Sequence, residues 1–379
     1  MLRHHPWIFS RAICRKEGNP QSGDLVDIFA ADGTWMAVGH YQEESIAVKV
    51  LSYDTADIDD AFWHSRFASA LQLRWRLGLL SDFSLTNSFR LVNAEGDNMP
   101  GLIADYYNGA VVFQAHSVGM HRMLSRFCEI LLQIMSDSHV PLTSIFDKSS
   151  ATLPIASEDG YLYGDDPEEW EIKENGSRML VNFREGQKTG SFLDQRENHA
   201  LLSRLSKGSD VLNTFGYTGG FSLAALKGGA RYVETVDISK RAIELCQRNI
   251  MLNYSDAPCK GVVADVMHYL DYVPNTFDII ILDPPAFAKT HRTLQQGLKG
   301  YHAINHKAMV AIKPGGLLFT FSCSQAVSRD DFRTMAFSAA ATAHRKVRVV
   351  RALPHAMDHP VSIFHPEGEY LKGLLLEVE

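Results

Sequence analysis

Beyond about residue 185, short apolar runs alternate with longer segments whose apolar positions recur at helical spacing. The runs 211–215, 232–237, 261–264, 277–282 and 317–321 have the length and β-prone composition of strands. Between them, 221–227, a segment capped by Ser239 and running to 252, and 293–312 read as helices. A helix at 329–343 and strands at 347–351 and 371–378 close the chain. Strand and helix in alternation predict an α/β fold with a largely parallel, doubly wound sheet.

The first half is patterned differently. Residues 23–29, 35–39 and 45–51 are short β-prone runs separated by turn residues such as Asp32-Gly33, which predicts a small β-rich module. A helix follows over 59–80, with Phe62, Phe67, Leu71 and Trp75 near helical spacing and Gly78 marking its end. Strands are expected at 89–93, 109–114 and 177–183, an amphipathic helix at 120–136, and a loop or hairpin over the acidic stretch 157–175. The expected domains are therefore 1–70, β-rich; 71–184, mixed α+β; and 185–379, α/β.

A chain of 379 residues fits two or three domains, and 45% hydrophobic residues supply ample core. No apolar run reaches the length of a membrane span, and the N-terminus lacks the pattern of a secretion signal. Cysteines stand at 14, 128, 246, 259 and 323 without a CxxC pair, so neither a metal site nor a disulfide framework is expected. Cys14, Cys128, Cys246 and Cys259 read as buried, inert thiols. A cytoplasmic protein is the plain expectation. The net charge of −7 argues mildly against a nucleic-acid partner, but basic residues cluster. Arg3, Arg11, Arg15 and Lys16 form one run, Arg66, Arg74 and Arg76 a second, and Arg345, Lys346, Arg348 and Arg351 a third. Such runs fit RNA contact and solvated surface about equally.

Chemistry gathers at the predicted strand ends, where ligands of open α/β sheets bind. Gly216, Gly219 and Gly220 follow the strand 211–215 with the spacing G-x-x-G-G, unlike the G-x-G-x-x-G of dinucleotide binders. A helix N-terminus there suits the carboxylate of a methionine moiety. Asp237 ends the next strand, where an acid can accept from both hydroxyls of a ribose, and Asp265 ends the third, where it can accept from an adenine amine. Asp283-Pro284-Pro285 follows the most apolar strand; the prolines contribute no N–H, leaving acceptors toward the crevice, and Phe287 offers a stacking face for a flipped base. Cys323 lies just past the last of these strands, placed to add to C6 of a pyrimidine and so activate C5 toward a sulfonium methyl. His359, on a later loop, is a candidate for base binding or proton handling as well as a plain structural histidine. This inventory suits an S-adenosylmethionine (SAM) methyltransferase with a nucleophilic cysteine. Exocyclic-amine methylation such as guanine N2, an RNA-binding assembly factor without catalysis, and an NAD oxidoreductase are the rivals.

Several stretches resemble a known family: residues 3–10 (RHHPWIFS), 186–196 (GQKTGSFLDQR), 213–221 (NTFGYTGGF), 282–285 (LDPP), 320–324 (TFSCS), 358–361 (DHPV) and 366–373 (PEGEYLKG). They are similar to the class I SAM-dependent ribosomal RNA large-subunit methyltransferases with an N-terminal PUA domain, among them the bacterial 23S rRNA cytosine-C5 methyltransferases. The resemblance implies a PUA RNA-binding domain at 1–70 and a Rossmann-like catalytic domain at 185–379. It implies that Phe215, Gly216, Gly219, Asp237, Ile238, Asp265, Asp283 and Arg196 line the SAM site, and that Cys323 is the nucleophile with Asp283 beside it. It further implies substrate contacts from Pro284, Pro285, Phe287, Lys188 and His359. The implied partner is RNA, with 23S rRNA expected, no membrane, and a homodimer among the arrangements it allows.

Overall fold

The structure, a computed structural model, describes residues 4–81, 83 and 85–379. Arg3, part of the first basic run and the first motif, lies outside the described residues. The chain forms two compact units, one of residues up to 176 with 180–193 and 357–368, the other of 177–179, 194–356 and 369–379.

In the first unit Trp7–Phe9 (β1), Leu25–Phe29 (β2), Trp35–Tyr41 (β3) and Ile46–Ser52 (β4) make a sheet of order β1-β4-β3-β2, every pairing antiparallel. Its small core joins Tyr41, Ala47 and Val48 to Ile8, Ile13, Val26 and Ile28. The helix Asp60–Arg76 (α1) starts where the Asp59 carboxylate accepts from Phe62 N at 2.9 Å. It ends short of the expected residue 80 because Gly78, at φ 77°, turns the chain away.

A second sheet in this unit runs β5-β6-β7-β8-β9, made of Ser88–Asn93, Leu102–Tyr107, Ala110–Ala115, Ser144–Asp147 and Gly160–Gly164. Only β7 and β8 pair in parallel. The segment expected as one helix at 120–136 is two, Val118–Arg122 (α2) and Leu124–Asp137 (α3). Phe127, Leu131 and Ile134 of α3 pack with Trp63, Phe67 and Leu71 of α1 and with Phe89 and Phe113 of the sheet. Trp170–Glu174 (β10) and Ser177–Val181 (β11) follow, β11 passing from one unit to the other.

One basic residue of the expected patches is misplaced by sequence. Arg74 is fully buried and grips Asp97 with two bonds of 2.6 and 2.8 Å, while its Nη2 also donates to the Asp358 carbonyl at 2.7 Å. A guanidinium held this way has no part in RNA contact.

The second unit is built on a sheet of order β14-β13-β12-β15-β16-β18-β17. The helix Arg196–Leu205 (α4) precedes Asp210–Thr214 (β12), Gly220–Lys227 (α5), Tyr232–Asp237 (β13), Lys240–Asn253 (α6) and Cys259–Val263 (β14). Val266–Tyr269 (α7), Ile279–Leu282 (β15), Leu294–Ala311 (α8), Gly316–Ser322 (β16) and Arg329–Thr342 (α9) come next, then Val347–Ala352 (β17) and Lys372–Val378 (β18). β14, β13, β12, β15 and β16 are mutually parallel. All four residues of β15 are buried, as expected of a strand covered on both faces. Tyr301, Ile304 and Ala308 of α8 and Phe332, Met335 and Ala339 of α9 share a core with Ile280, Leu282 and Leu318 of the sheet.

The sheet departs from the expected parallel pattern at one edge. β18 lies between β16 and β17 and runs antiparallel to both. Only a single 3-10 turn, Pro366–Gly368, and no α-helix links β17 to β18, and a parallel neighbour needs a helical crossover. The strand order reverses between β12 and β15, so their carboxyl ends flank the switch point where such sheets bind ligands.

Candidate functional site

The loop after β12 turns tightly. Phe215 and Tyr217 take left-handed conformations, φ 55° and 44°, and Gly219 sits at φ 90°. Left-handed non-glycine residues are costly and concentrate where a fold holds a ligand. Gly216 N donates to Val236 O at 3.1 Å, and Gly219 N to Gly216 O at 2.8 Å. A side chain at Gly216 would strike Thr235, and one at Gly219 would meet the Cys246 sulfur at 2.5 Å. Glycine is thus required by packing against β13 and α6, and the turn delivers the first N–H groups of α5 to the carboxyl edge of the sheet.

Three carboxylates stand along the same edge. Asp237, ending β13, accepts from Tyr217 N at 3.0 Å through one oxygen and from Ser239 N at 2.9 Å through the other. Ile238 beside it is 71% exposed, a large apolar side chain left open at the rim. Asp265 caps α7 by accepting from His268 N at 2.9 Å. Asp283, just past β15, accepts from Gln195 Nε2 at 3.1 Å, and Gln195 Oε1 in turn accepts from Asn198 Nδ2 at 2.7 Å. Gln195 is almost fully buried, so this amide chain fixes the orientation of the Asp283 carboxylate.

Cys323 follows β16 and is partly exposed, its Sγ 4.0 Å from the Pro284 carbonyl oxygen. β15 and β16 are parallel neighbours, which is what sets the thiol beside the Asp-Pro-Pro loop. The residues flanking it are locked. Ser324 Oγ receives Ala288 N at 3.1 Å and lies 2.8 Å from the Tyr301 hydroxyl. The Lys372 ammonium donates to Ser324 O at 2.6 Å and to Tyr370 O at 2.7 Å. Burial lowers Lys372 to about 8, with Cys323 acting in the opposite direction. The other thiols differ. Burial pushes Cys128 and Cys246 up to about 12, which keeps both protonated, and Cys14 is exposed rather than buried.

Around Cys323, Pro284 is buried, Pro285 exposed and Phe287 half-buried, its ring 4.7 Å from that of Tyr301. Arg196, at the start of α4, is buried with Nη2 3.6 Å from Glu197. Two expected site residues belong to the other unit. Lys188 is exposed at φ 50° with its ammonium over the Phe192 ring, 4.6 Å from the centroid. His359 is buried, Nδ1 3.0 Å from Asp358 Oδ1, while Asp358 Oδ2 accepts from Arg90 N at 2.8 Å. Gln195 and Lys372 were not singled out in the sequence. Both lie inside motif stretches, but a glutamine and a lysine acquire their roles only from neighbours brought in by the fold.

A family model for S-adenosylmethionine-dependent methyltransferases matches residues 152–360, and one for a PUA-like domain matches residues 1–53. Ribosomal RNA large subunit methyltransferase I of Alteromonas mediterranea is 37% identical over 386 residues, covering 100% of this chain and 96% of its own. The protein of the same name from Aeromonas salmonicida is 38% identical over 389 residues, covering 99% and 96%. The chain belongs to this SAM-dependent methyltransferase family.

Among solved structures, SMU.776, assigned as a methyltransferase and crystallised with SAH, superposes with a TM-score of 0.87 at 23% identity, covering 100% of this chain and 96% of that one. This likeness speaks for the fold. The methyltransferase's own residues fit SAM. Each oxygen of Asp237 receives a single backbone bond, which leaves each a further acceptor site for a ribose hydroxyl. Asp265 likewise keeps accepting capacity, and the N-terminus of α5 suits a carboxylate. Among the described residues no helix is long and apolar enough to cross a membrane.

Proposed function

We propose that this methyltransferase modifies 23S rRNA of the large ribosomal subunit, converting a cytosine to 5-methylcytosine through a covalent adduct on Cys323. The observation that carries the reading is the partly exposed Cys323 sulfur 4.0 Å from the Pro284 carbonyl, next to a carboxylate that Gln195 holds in place. The relatives' shared name, ribosomal RNA large subunit methyltransferase I, supports the substrate class. The proposed organisation is a PUA-like RNA-binding domain at 1–70, a middle domain at 71–184 and the catalytic domain at 185–379; light scattering would read whether the chain forms the homodimer that the resemblance allows.

Phe215, Gly216, Gly219, Asp237, Ile238, Asp265 and Arg196 would hold the cofactor, and Pro284, Pro285 and Phe287 the substrate base. Bound SAM supplies an electrophilic methyl on its sulfonium. The chain's task is to make C5 nucleophilic. Cys323 adds as a thiolate to C6, and the electron pair of the C5=C6 bond moves onto C5. Asp283 grips the ring through N3 or the exocyclic amine. Once C5 carries the methyl, it loses its proton to a base, the double bond re-forms and the thiolate is expelled. An amine nitrogen already has its lone pair and would need no such adduct.

Cys323→Ala is expected to keep SAM binding by calorimetry and to lose methyl transfer entirely; full transfer would remove the covalent step. Nucleoside mass spectrometry of rRNA from a deletion strain should show a missing 5-methylcytidine. A missing methylguanosine would instead assign the chain to exocyclic-amine chemistry.

A further inference from the structure

Lys372 opens β18 opposite Ser322, the last residue of β16, in the antiparallel register. Cys323 is the next residue along. The lysine is only 5% exposed, and two of its three N–H donors are spent on the carbonyls of Ser324 and Tyr370. A buried ammonium is costly unless something nearby uses its charge. Both bonds here go to neutral carbonyls. Other charged or titratable groups stand on the elements around the thiol. Tyr301 comes from α8 with its hydroxyl on Ser324, and Asp283 comes from the β15 loop, held by Gln195. Arg329, at the start of α9, is exposed and paired with Glu369 at 3.0 Å. Among these, Lys372 is the buried cation on the strand that pairs with the cysteine's own.

We propose that Lys372 is a positioning residue for Cys323: its ammonium holds the Ser324 carbonyl, which fixes the thiol at the crevice, and its charge favours the thiolate that adds to the pyrimidine. This rests on Cys323 being the nucleophile. The proton leaves the sulfur for solvent and the lysine stays protonated, so the pair is an ion pair rather than a relay. Electrostatic lowering of a cysteine by an adjacent lysine is a general device. At neutral pH the lysine, which burial lowers to about 8 against the opposing effect of Cys323, still carries most of its charge.

The test is the pH profile of Cys323 alkylation by iodoacetamide, followed by peptide mass spectrometry in the full-length protein. The wild-type midpoint should lie at least about one pH unit below the ordinary thiol value of roughly 8.5. A wild-type midpoint at or above that value overturns the proposal, whether or not any variant folds. Lys372→Met should raise the midpoint by at least about one unit and slow alkylation at pH 7 about tenfold, with SAM affinity kept, whereas Lys372→Arg should restore most of the shift. An unchanged midpoint in a folded Lys372→Met also overturns it. Full methylation by Cys323→Ala would sink the adduct but leave these midpoints readable, so the two failures are distinct.

Discussion

Asp237 joins local structure to ligand chemistry within one carboxylate. By accepting from Tyr217 N and Ser239 N, it ties the glycine turn to the end of β13, and its remaining lone pairs face the crevice edge. Asp237→Asn would keep one acceptor oxygen but replace the other with a donor, opposite both Tyr217 N–H or Ser239 N–H and a ribose hydroxyl. SAM affinity by calorimetry should fall about tenfold or more, the scale of one lost charge-assisted hydrogen bond. Unchanged affinity would place the cofactor elsewhere. Asp237, Asp265, Asp283 and Cys323 could be picked out from sequence because each follows directly on an apolar strand run, and parallel strands bring their carboxyl ends to one edge. Gln195 carries no such mark. Its value lies in a 3.1 Å bond to a residue 88 positions away. Lys372 is similar, since only the antiparallel placement of β18 sets it beside Cys323.

At the scale of elements, legibility followed hydrophobic contrast. The buried strand β15 and the helices α6, α8 and α9 lie within a few residues of expectation. β6 was missed because Asp105 interrupts its apolar pattern, a charge that the sheet tolerates by pairing it with Arg90 at 2.8 and 3.0 Å. β10 lies inside the acidic stretch 157–175, expected as a loop or hairpin, where the charges around it leave the strand's bounds unmarked. A related polar intrusion gives β3 a pH response. His40 on that strand is 5% exposed, stacks against Trp63 with ring centroids 6.3 Å apart, and leaves Nδ1 without a hydrogen-bond partner. Burial lowers it from 6.5 to about 4, with the Arg122 charge adding to the effect. The unfolded chain then takes up a proton near pH 6.5 that the folded strand refuses until about pH 4. Stability present above pH 6.5 is therefore lost as pH falls toward 4, by up to about 3 kcal/mol. Urea unfolding at pH 7 and pH 4.5 should show this loss, and His40→Phe should reduce it. An equal loss in both proteins would assign acid sensitivity to other groups.

For the molecule as a whole, the question is how a chain of net charge −7 would hold the RNA proposed as its substrate. The second and third basic runs are partly committed to the fold. Arg74 is buried on Asp97. Arg345 donates to the carbonyls of Glu379 and Met309, and Arg348 pairs with Glu377 and Glu379. The first run differs. Arg11, Arg15 and Lys16 are exposed, and among the described residues Arg15 has only the exposed Glu17 as ion-pair partner at 3.0 Å, a contact of little worth in water. Arg15 and Lys16 line a groove of about 410 Å³ with Tyr41, whose hydroxyl accepts from Lys16 Nζ at 2.9 Å. All lie within the PUA-like match. If RNA is held through these cations, each one neutralising a phosphate releases counterions, and affinity falls with salt in proportion to their number. Replacing Arg11, Arg15 and Lys16 together with glutamine should weaken rRNA binding and flatten the slope of log K against log salt by roughly 2, at about 0.7 per lost contact on single strands. SAM affinity, set by the site proposed in the other unit, should stay the same. A slope equal to wild type would show that the RNA is gripped elsewhere on the molecule and that this run is solvated surface.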